Sequence, residues 1–187
     1  MHAFALASAS PRRRDLLLAA GLSFELAPQD VDESIHPGEA PIAYVLRVAR
    51  KKAEAYDGGR TLVLSADTTV ALDGEILAKA ADDEEAVRFL RRLSGRTHRV
   101  HTAVVLRKPG GWVETIVTTD VRFRALSDAE IGRYVATGEP RDKAGAYGIQ
   151  GFGGALIDAV HGSYTNVIGL PLEETLVMLR EAGAGGP

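Results

Sequence analysis

The stretch T-L-V-L-S-A-D-T-T-V-A-L-D-G-E-I-L, residues 61 to 77, decides what kind of fold the chain can have. Its first six residues form an apolar run that is typical of a strand buried on both faces of a sheet. The rest predicts a hairpin that turns at Asp73 and Gly74, since both positions of such a turn need positive φ. The stretch therefore indicates a sheet with other elements packed on both of its faces.

Helices and strands alternate around this stretch. The pattern predicts strands over residues 2–7 and 22–27 and helices over 11–20, 40–56 and 82–93. The apolar face of the helix over 40–56 is predicted to consist of Ile42, Val45, Leu46, Ala49, Ala53 and Tyr56. These elements favour an α/β fold with flanking helices.

The second half of the chain adds a long hairpin. Two alternating strands are predicted on either side of residues 108–111, a capping box at residues 127–130 opens a further helix, and Pro171 begins the last one. Because the hairpin strands are antiparallel, the sheet is predicted to be mixed and not purely doubly wound. No linker or repeat divides the sequence, which predicts one domain over residues 1–187.

Composition narrows the class of protein. The chain has 187 residues, a formal net charge of −3 and no cysteine, which excludes disulfides and thiolate sites and argues against general nucleic-acid binding. No apolar run approaches the roughly 20 residues that span a bilayer, and the first eight residues lack the features of a signal peptide. We expect a cytoplasmic protein that binds neither membrane nor nucleic acid.

The segment A-S-A-S-P-R-R-R-D-L-L, residues 7 to 17, places three cations in the first turn of a helix that Ser10 is predicted to cap. The helix dipole is positive there and disfavours Arg12, Arg13 and Arg14 unless an anion is bound. Either the arginines form a solvated surface cluster or the helix start is a docking site for phosphate.

Two carboxylates can carry chemistry. Asp67 is predicted at the end of the apolar strand, where α/β proteins concentrate ligand and catalytic groups, although an aspartate can simply begin the hairpin there. Glu33 lies in the acidic loop D-V-D-E and, taken alone, is ordinarily solvated. Together the two side chains offer the oxygen ligands that Mg²⁺ accepts along with phosphate oxygens.

The positions of three lysines predict different environments for their side chains. Lys52 borders the apolar face of its helix, while Lys51 points to solvent. Lys52 either lays its stem along that face with the charge in water or reaches into a cleft and neutralises phosphate. The same two alternatives hold for Lys79, which follows the second strand of the hairpin.

The segment D-K-A-G-A-Y-G-I-Q-G-F-G-G, residues 142 to 154, is called the glycine loop below. Five glycines in thirteen residues suit a backbone that approaches a ligand closely, although such loops are often only turns. The carboxamide of Gln150 offers one acceptor and two donors, which complements the imide edge of uracil or thymine. If the loop touches a base, a pyrimidine is favoured.

Read together, these segments resemble the Maf family of nucleoside triphosphate pyrophosphatases. The resemblance covers nearly the full chain through S-A-S-P-R-R, D-V-D-E, A-R-K-K-A, S-A-D-T-T-V, S-G-R-T-H-R-V-H-T-A, D-K-A-G-A-Y-G-I-Q-G and Y-T-N-V-I-G-L-P-L. It implies a mixed α/β fold with two lobes around a cleft, related to the inosine triphosphatases. It also implies hydrolysis of a nucleoside triphosphate to a monophosphate and pyrophosphate with Mg²⁺ or Mn²⁺, and a homodimer.

The resemblance also implies roles for residues. Asp67 matches the catalytic acid/base position, and three residues match positions associated with substrate choice: Arg12, Thr68 and Gln150. Others match further pocket positions: Ser8, Arg13, Glu33, Lys52, Lys79, Asp142 and Lys143. The G-I-Q-G form is similar to the dTTP/UTP branch. The chain departs from the family at L-A-K-A, residues 77 to 80, where L-G-K-P is usual, so the turn that holds Lys79 is predicted to differ.

Two other functions are weighed against hydrolysis of dTTP and UTP. A purine house-cleaning pyrophosphatase acting on ITP or XTP would use similar chemistry on another base. A non-catalytic nucleotide-binding regulator of cell division belongs to a different class of protein. Loss of the carboxylates and lysines would indicate the regulator, yet all of them are present in the sequence.

Overall fold

A single mixed sheet organises the structure, a computed structural model that describes residues 3–59 and 62–184. Within these residues the strands are β1 (Phe4–Leu6), β2 (Phe24–Leu26), β3 (Val63–Leu72), β4 (Glu75–Leu77), β5 (Thr97–Lys108), β6 (Gly111–Phe123) and β7 (Ile157–His161). Their order is β2-β1-β3-β5-β6-β7, with β4 paired to β3. β1 runs parallel to β2 and β3, and the other pairs are antiparallel. The predicted mixed α/β fold is confirmed.

The described helices are α1 (Pro11–Ala19), α2 (Pro41–Ala55), α3 (Asp83–Leu93), α4 (Asp128–Ala136), α5 (Tyr164–Ile168) and α6 (Leu172–Glu181). The hairpin turn at residues 73 and 74 and the capping box of α4 are both confirmed. Sequence analysis does not find α5, because five residues are too few to show a helical period. Two residues of predicted strands, His2 and Thr61, lie outside the described residues.

Three apolar clusters cover the sheet. Leu64 and Leu106 pack beneath α1 and α6, whereas Val63 faces the opposite side and packs against α2. Leu72 and Phe123 belong to a third cluster with residues of α3 and α4. Since successive strand residues face opposite sides, β3 contributes to the packing on both faces, as its continuous apolar run predicts.

An open stretch along one edge of β3 positions the functional site. β3 pairs with β5 along almost its whole length, but on the other side it pairs with β1 only at residues 63–64 and with β4 at residues 70–72. The prediction that Asp67 ends its strand is wrong, because Asp67 pairs with Ala103 in the middle of the ten-residue β3. The strand that ends here is the neighbour, β1, and its departure opens the sheet beside Asp67.

The buried face of α2 also differs from the predicted one. Ile42 is 45% exposed, while Tyr44, Val48 and Lys52 are buried. Two of these inward side chains have polar ends that find partners: the Tyr44 hydroxyl donates to the Glu33 carbonyl at 3.1 Å, and Lys52 reaches carboxylates. A hydropathy pattern counts such residues as polar and therefore predicts a face that is rotated around the helix.

Candidate active site

A cleft of about 720 Å³ opens where β3 is free of neighbours on one side. It is lined by every residue that the sequence analysis selected: Ser8, Arg12, Arg13, Glu33, Lys52, Asp67, Thr68, Lys79, Asp142, Lys143 and Gln150. The structure therefore brings together segments that lie up to 142 positions apart, between Ser8 and Gln150. Two parts of the lining differ in construction.

The charged wall consists of Arg13, Glu33, Lys52 and Asp67. The Lys52 ammonium lies 2.8 Å from Asp67 Oδ1 and 2.7 Å from Glu33 Oε1, so one cation joins both carboxylates. The second oxygen of each carboxylate takes no hydrogen bond from a described residue, and Glu33 Oε2 lies 4.0 Å from Lys79 Nζ. Of the alternatives for Lys52, the one that reaches into a cleft is correct.

Burial and pairing set the electrostatics of this wall. Burial raises the pKa of the Asp67 carboxyl above its ordinary value, against the opposing charges of Lys52 and Arg13. For Glu33, burial also acts upwards, but the hydrogen bond and charge of Lys52 hold the pKa below its ordinary value. The pKa values of the two carboxyl groups are thus shifted in opposite directions, which is characteristic of acid–base sites.

Arg13 is buried and ties three segments together. Its Nε donates to the Gly169 carbonyl at 2.7 Å, Nη1 donates to Ser8 Oγ at 3.1 Å, and Nη2 donates to Thr68 Oγ1 at 3.0 Å. Burial lowers the pKa of the guanidinium, although an arginine keeps its charge at any physiological pH. Because Asp67 and Thr68 are adjacent in β3, their side chains face opposite sides and meet Lys52 and Arg13 respectively.

The start of α1 faces the cleft, and its three arginines lie in different environments. Arg12 lines the cleft, whereas Arg14 pairs with its neighbour Asp15 at the surface. The capping prediction for Ser10 needs correction: Ser10 occupies the N-cap position, but its side chain makes no cap hydrogen bond. Its backbone N–H instead donates to Ser8 Oγ at 3.3 Å.

Lys79 is held by backbone pairing. It forms an isolated bridge with Ala144, and the Gly145 N–H donates to the Leu77 carbonyl at 2.9 Å. A Cβ at Gly145 would lie 2.9 Å from Val70, so only glycine lets the loop approach β3 this closely. The unusual L-A-K-A sequence therefore keeps its lysine at the rim, with the side chain 64% exposed.

The glycine loop forms the other part of the lining. At its start, Lys143 Nζ donates to the Glu139 carbonyl at 2.7 Å and to Asp142 Oδ1 at 3.0 Å. Tyr147 is buried and its hydroxyl lies 2.7 Å from His98 Nε2, which anchors the loop to β5. Gln150 is exposed in the cleft lining, and among the described residues no hydrogen bond occupies its carboxamide.

Several functional neighbours were not predicted from the sequence. Gln29, Tyr44 and Glu139 also line the cleft. Tyr44 could have been found, since it lies four and eight positions before Val48 and Lys52 on the same helical face. For Glu139 the sequence offers no signal beyond its place between a glycine and a proline, because its role depends on the folded path of the loop.

Metal-binding and membrane features are limited in the described residues. Over 3–59 and 62–184, no group of three or more His, Cys, Asp or Glu side chains could hold a metal ion. His98 and His101 bond to different partners, Tyr147 and Thr118, and do not form a metal pair.

No helix in the same ranges is long and apolar enough to cross a membrane.

Comparison with known proteins gives consistent matches over the chain. The family model described as "Maf-like protein" matches residues 3–182. A dTTP/UTP pyrophosphatase of Anaeromyxobacter dehalogenans is 56% identical over 95% of this chain and 93% of its own length, and one of Chromobacterium violaceum is 50% identical over the same shares. The solved structure of the Staphylococcus aureus Ham1 protein aligns with a TM-score of 0.45 at 16% identity, over 64% of this chain and 71% of that one.

Proposed function

The chain belongs to the Maf family, and from that premise we propose that it hydrolyses dTTP and UTP to the monophosphate and pyrophosphate. The observation that carries the proposal is the Lys52 ammonium, which joins the carboxylates of Glu33 and Asp67. The same cleft is lined by the buried Arg13 and by Gln150, whose carboxamide makes no hydrogen bond to a described residue. A triphosphate needs cations along its length, a base for water and a group that reads the nucleobase. The cleft contains candidates for all three.

Asp67 is proposed as the general base. Its raised pKa lets the carboxylate accept a proton from a water molecule while the water oxygen forms a bond to the α-phosphorus. The bond between the α-phosphorus and the bridging oxygen breaks, and pyrophosphate leaves with that oxygen and the electron pair. Lys52 stabilises the ionised form of Asp67 before the transfer and gives the carboxylate a fixed direction.

The remaining cations are proposed to bind the phosphate chain. Arg12 at the start of α1 and Lys79 at the rim of the cleft are both open to a ligand, and the helix dipole at Arg12 favours an anion. Arg13 has used three of its donors on protein groups, so it serves chiefly to hold Ser8 and Thr68 in place and adds charge. Asp142 and Lys143 are proposed to hold the start of the glycine loop, where the Lys143 ammonium bonds to Asp142 and to the Glu139 carbonyl.

Glu33 and Asp67 are proposed to hold a divalent cation, Mg²⁺ or Mn²⁺. Each carboxylate has an oxygen that no described residue uses, and two carboxylates completed by substrate phosphates are a donor set that Mg²⁺ accepts. When bound, the ion neutralises charge on the phosphate oxygens. The fit rests on the chemistry of the two free oxygens.

Gln150 is proposed to select the base, with Thr68 and Arg12 as neighbours in the same cleft. A carboxamide pairs with an imide edge, which uracil and thymine share and cytosine lacks. Adenine also lacks this edge, whereas xanthine presents it, so the carboxamide by itself does not distinguish XTP from UTP. A non-catalytic regulator does not need paired carboxylates around a buried lysine, which supports hydrolysis over that alternative.

The test is a panel of nucleoside triphosphates incubated with the protein and Mg²⁺ or Mn²⁺, with pyrophosphate and monophosphate measured separately. We expect pyrophosphate from dTTP and UTP in at least tenfold excess over dCTP, ITP and XTP. Faster release from ITP or XTP would replace the substrate assignment, and release of orthophosphate alone would contradict cleavage between the α- and β-phosphates. No product from any nucleotide would favour the regulator.

Assembly and location are further proposals. The resemblance to the family supports a homodimer that acts in the cytoplasm without binding nucleic acid, and the continuous sheet supports one domain over residues 1–187. Light scattering coupled to size exclusion should give twice the 19.9 kDa chain mass. A monomeric mass at micromolar concentration contradicts the dimer.

A further inference from the structure

One carboxylate outside the charged wall is surrounded by donors from the glycine loop. Glu139 Oε1 accepts from the Tyr134 hydroxyl and from the Gly153 N–H, both at 2.9 Å, and Oε2 accepts from the Phe152 N–H at 2.9 Å. Glu139 follows α4, so it joins the loop to a regular element. Three donors on one carboxylate form a strong, directional attachment.

The part of the glycine loop before Gln150 is attached to the same pair of side chains, Glu139 and Tyr134. The Gly148 N–H donates to the Tyr134 hydroxyl at 3.2 Å, and that hydroxyl in turn donates to Glu139. At Gly151, φ is +111°, and a Cβ there would lie 2.8 Å from Glu139 Oε2. The backbone therefore passes directly over the carboxylate, with residues 148 and 152–153 attached on either side of Gln150.

Gln150 itself depends on this attachment. Its side chain is exposed, and in the described part of the chain no group bonds to its carboxamide. The place in the cleft from which this carboxamide can reach a base is therefore set by the backbone of residues 148–153. A shift of the loop would take the carboxamide out of hydrogen-bond distance of an imide edge, and the advantage that Gln150 gives to uracil and thymine would be lost.

We propose that Glu139 is a positioning residue for base recognition: it fixes the loop that presents Gln150 and thereby enforces the preference for uracil and thymine over cytosine. The proposal rests on the proposed function and deepens it. A carboxylate suits the position because it only accepts hydrogen bonds, and every group that faces it donates. A glutamine here would turn an N–H₂ group towards backbone N–H groups.

The experiment compares E139Q, E139D, Q150A and the double variant E139Q/Q150A by steady-state kinetics with dTTP and dCTP. For E139Q we expect KM for dTTP to rise about tenfold with kcat within about twofold, and the preference for dTTP over dCTP to fall by a similar factor. E139D keeps an acceptor-only group and should retain more of the preference. In the Q150A background, adding E139Q should change KM for dTTP by less than twofold, since the two effects act through one group.

The matched control is E130Q. Glu130 lies on α4 and accepts from its capping residue Ser127 and from Arg124, so its loss affects the helix without touching the loop. E130Q should leave the KM values and the dTTP preference unchanged. If E139Q does not fold, Y134F removes the hydroxyl shared by Glu139 and Gly148 and should move the preference in the same direction.

Three results would overturn the proposal while leaving the proposed function intact: unchanged kinetic constants in E139Q, a fall in kcat with KM unchanged, or additive effects in the double variant. A parent protein that releases no pyrophosphate from any triphosphate instead overturns the proposed function, and the positioning role with it.

Discussion

The charged wall and the glycine loop face each other across one cleft but are held by different means. In the charged wall, Lys52 and Arg13 project from helices onto carboxylates and hydroxyls of β3, and each charge is fixed by another side chain. The glycine loop has no regular structure of its own before residue 152, and backbone N–H groups attach it to Glu139 and Tyr134. In the proposed function, phosphate chemistry thus depends on rigid elements and base recognition on a loop.

The difference teaches how such a cleft separates two tasks. Charges buried beside β3 must be paired, because an unpaired buried charge is costly, and pairing keeps them fixed between turnovers. Base recognition needs hydrogen-bond groups whose spacing can be changed by loop sequence alone. Variants of the charged wall should therefore change the rate constant for chemistry, and variants of the loop should change substrate preference.

The largest effect is expected from D67N. Asparagine keeps the shape of Asp67 but cannot accept a proton, so kcat for dTTP should fall on the order of 10²–10⁴-fold. Initial rates of pyrophosphate release at saturating dTTP measure it, with D57N at an exposed position as the control that keeps parental activity. Turnover by D67N at the parental rate contradicts the assignment of the base.

A smaller loss is expected from K52M, and it should depend on pH. The charge of Lys52 lowers the pKa of Asp67 against the effect of burial, so its removal raises that pKa further. Since Asp67 must be ionised to act as a base, the acid limb of the pH–kcat profile should move to higher pH. K51M removes the neighbouring lysine, which lies 3.9 Å from Asp32 near the surface, and should leave the profile unchanged. Equal profiles for K52M and the parent protein would refute the coupling.

Q150E tests the loop side of the comparison. The carboxylate loses the donor that pairs with a base carbonyl and adds repulsion, so kcat/KM for dTTP and UTP should fall about 10–100-fold. The loss of kcat/KM should be largest for triphosphates whose base has an imide edge and smaller for the others. This differs from D67N, whose effect is on the chemical step. The measurement is the ratio of kcat/KM values across the nucleotide panel, and an unchanged ratio removes Gln150 from base recognition.

The smallest effect concerns stability and leaves the neutral-pH rate alone. Burial lowers the pKa of His98 to about 4, so the folded protein resists a proton that the unfolded chain accepts below about 6.5. The lowered pKa of His98 does not affect the free energy of unfolding at neutral pH. As the pH falls, it reduces that free energy progressively, by about 2 kcal/mol at pH 5. Urea unfolding should show a weaker fall between pH 7.5 and 5 in H98Q than in the parent protein.

The matched control for His98 is H36Q, which replaces an exposed histidine of the loop before α2. It should reproduce the parental dependence of the free energy of unfolding on pH. Parallel curves for H98Q and H36Q would show that His98 does not carry this contribution.

Sequence patterns predict much of the sheet, and they indicate some of the cleft residues as candidates, while the resemblance to the family supplies the rest. Lys52 and Asp67 are found because charged residues beside apolar patterns are unusual and their chemistry is specific. The position of Asp67 within β3 is missed, because the strand is continued by its pairing with β5, and pairing partners far along the chain leave no local signal. The role of Glu139 is missed for the same reason, since its donors are backbone groups that any sequence possesses.

The bonds of Arg13 also determine when the cleft can exist during synthesis. Arg13 and Thr68 both donate to the carbonyl of Gly169, 156 residues after Arg13, so the charged wall closes only when that segment is present. A chain emerging from the ribosome folds from its N-terminus while Gly169 is still inside the exit tunnel. The growing polypeptide therefore cannot form these hydrogen bonds until Gly169 has left the tunnel.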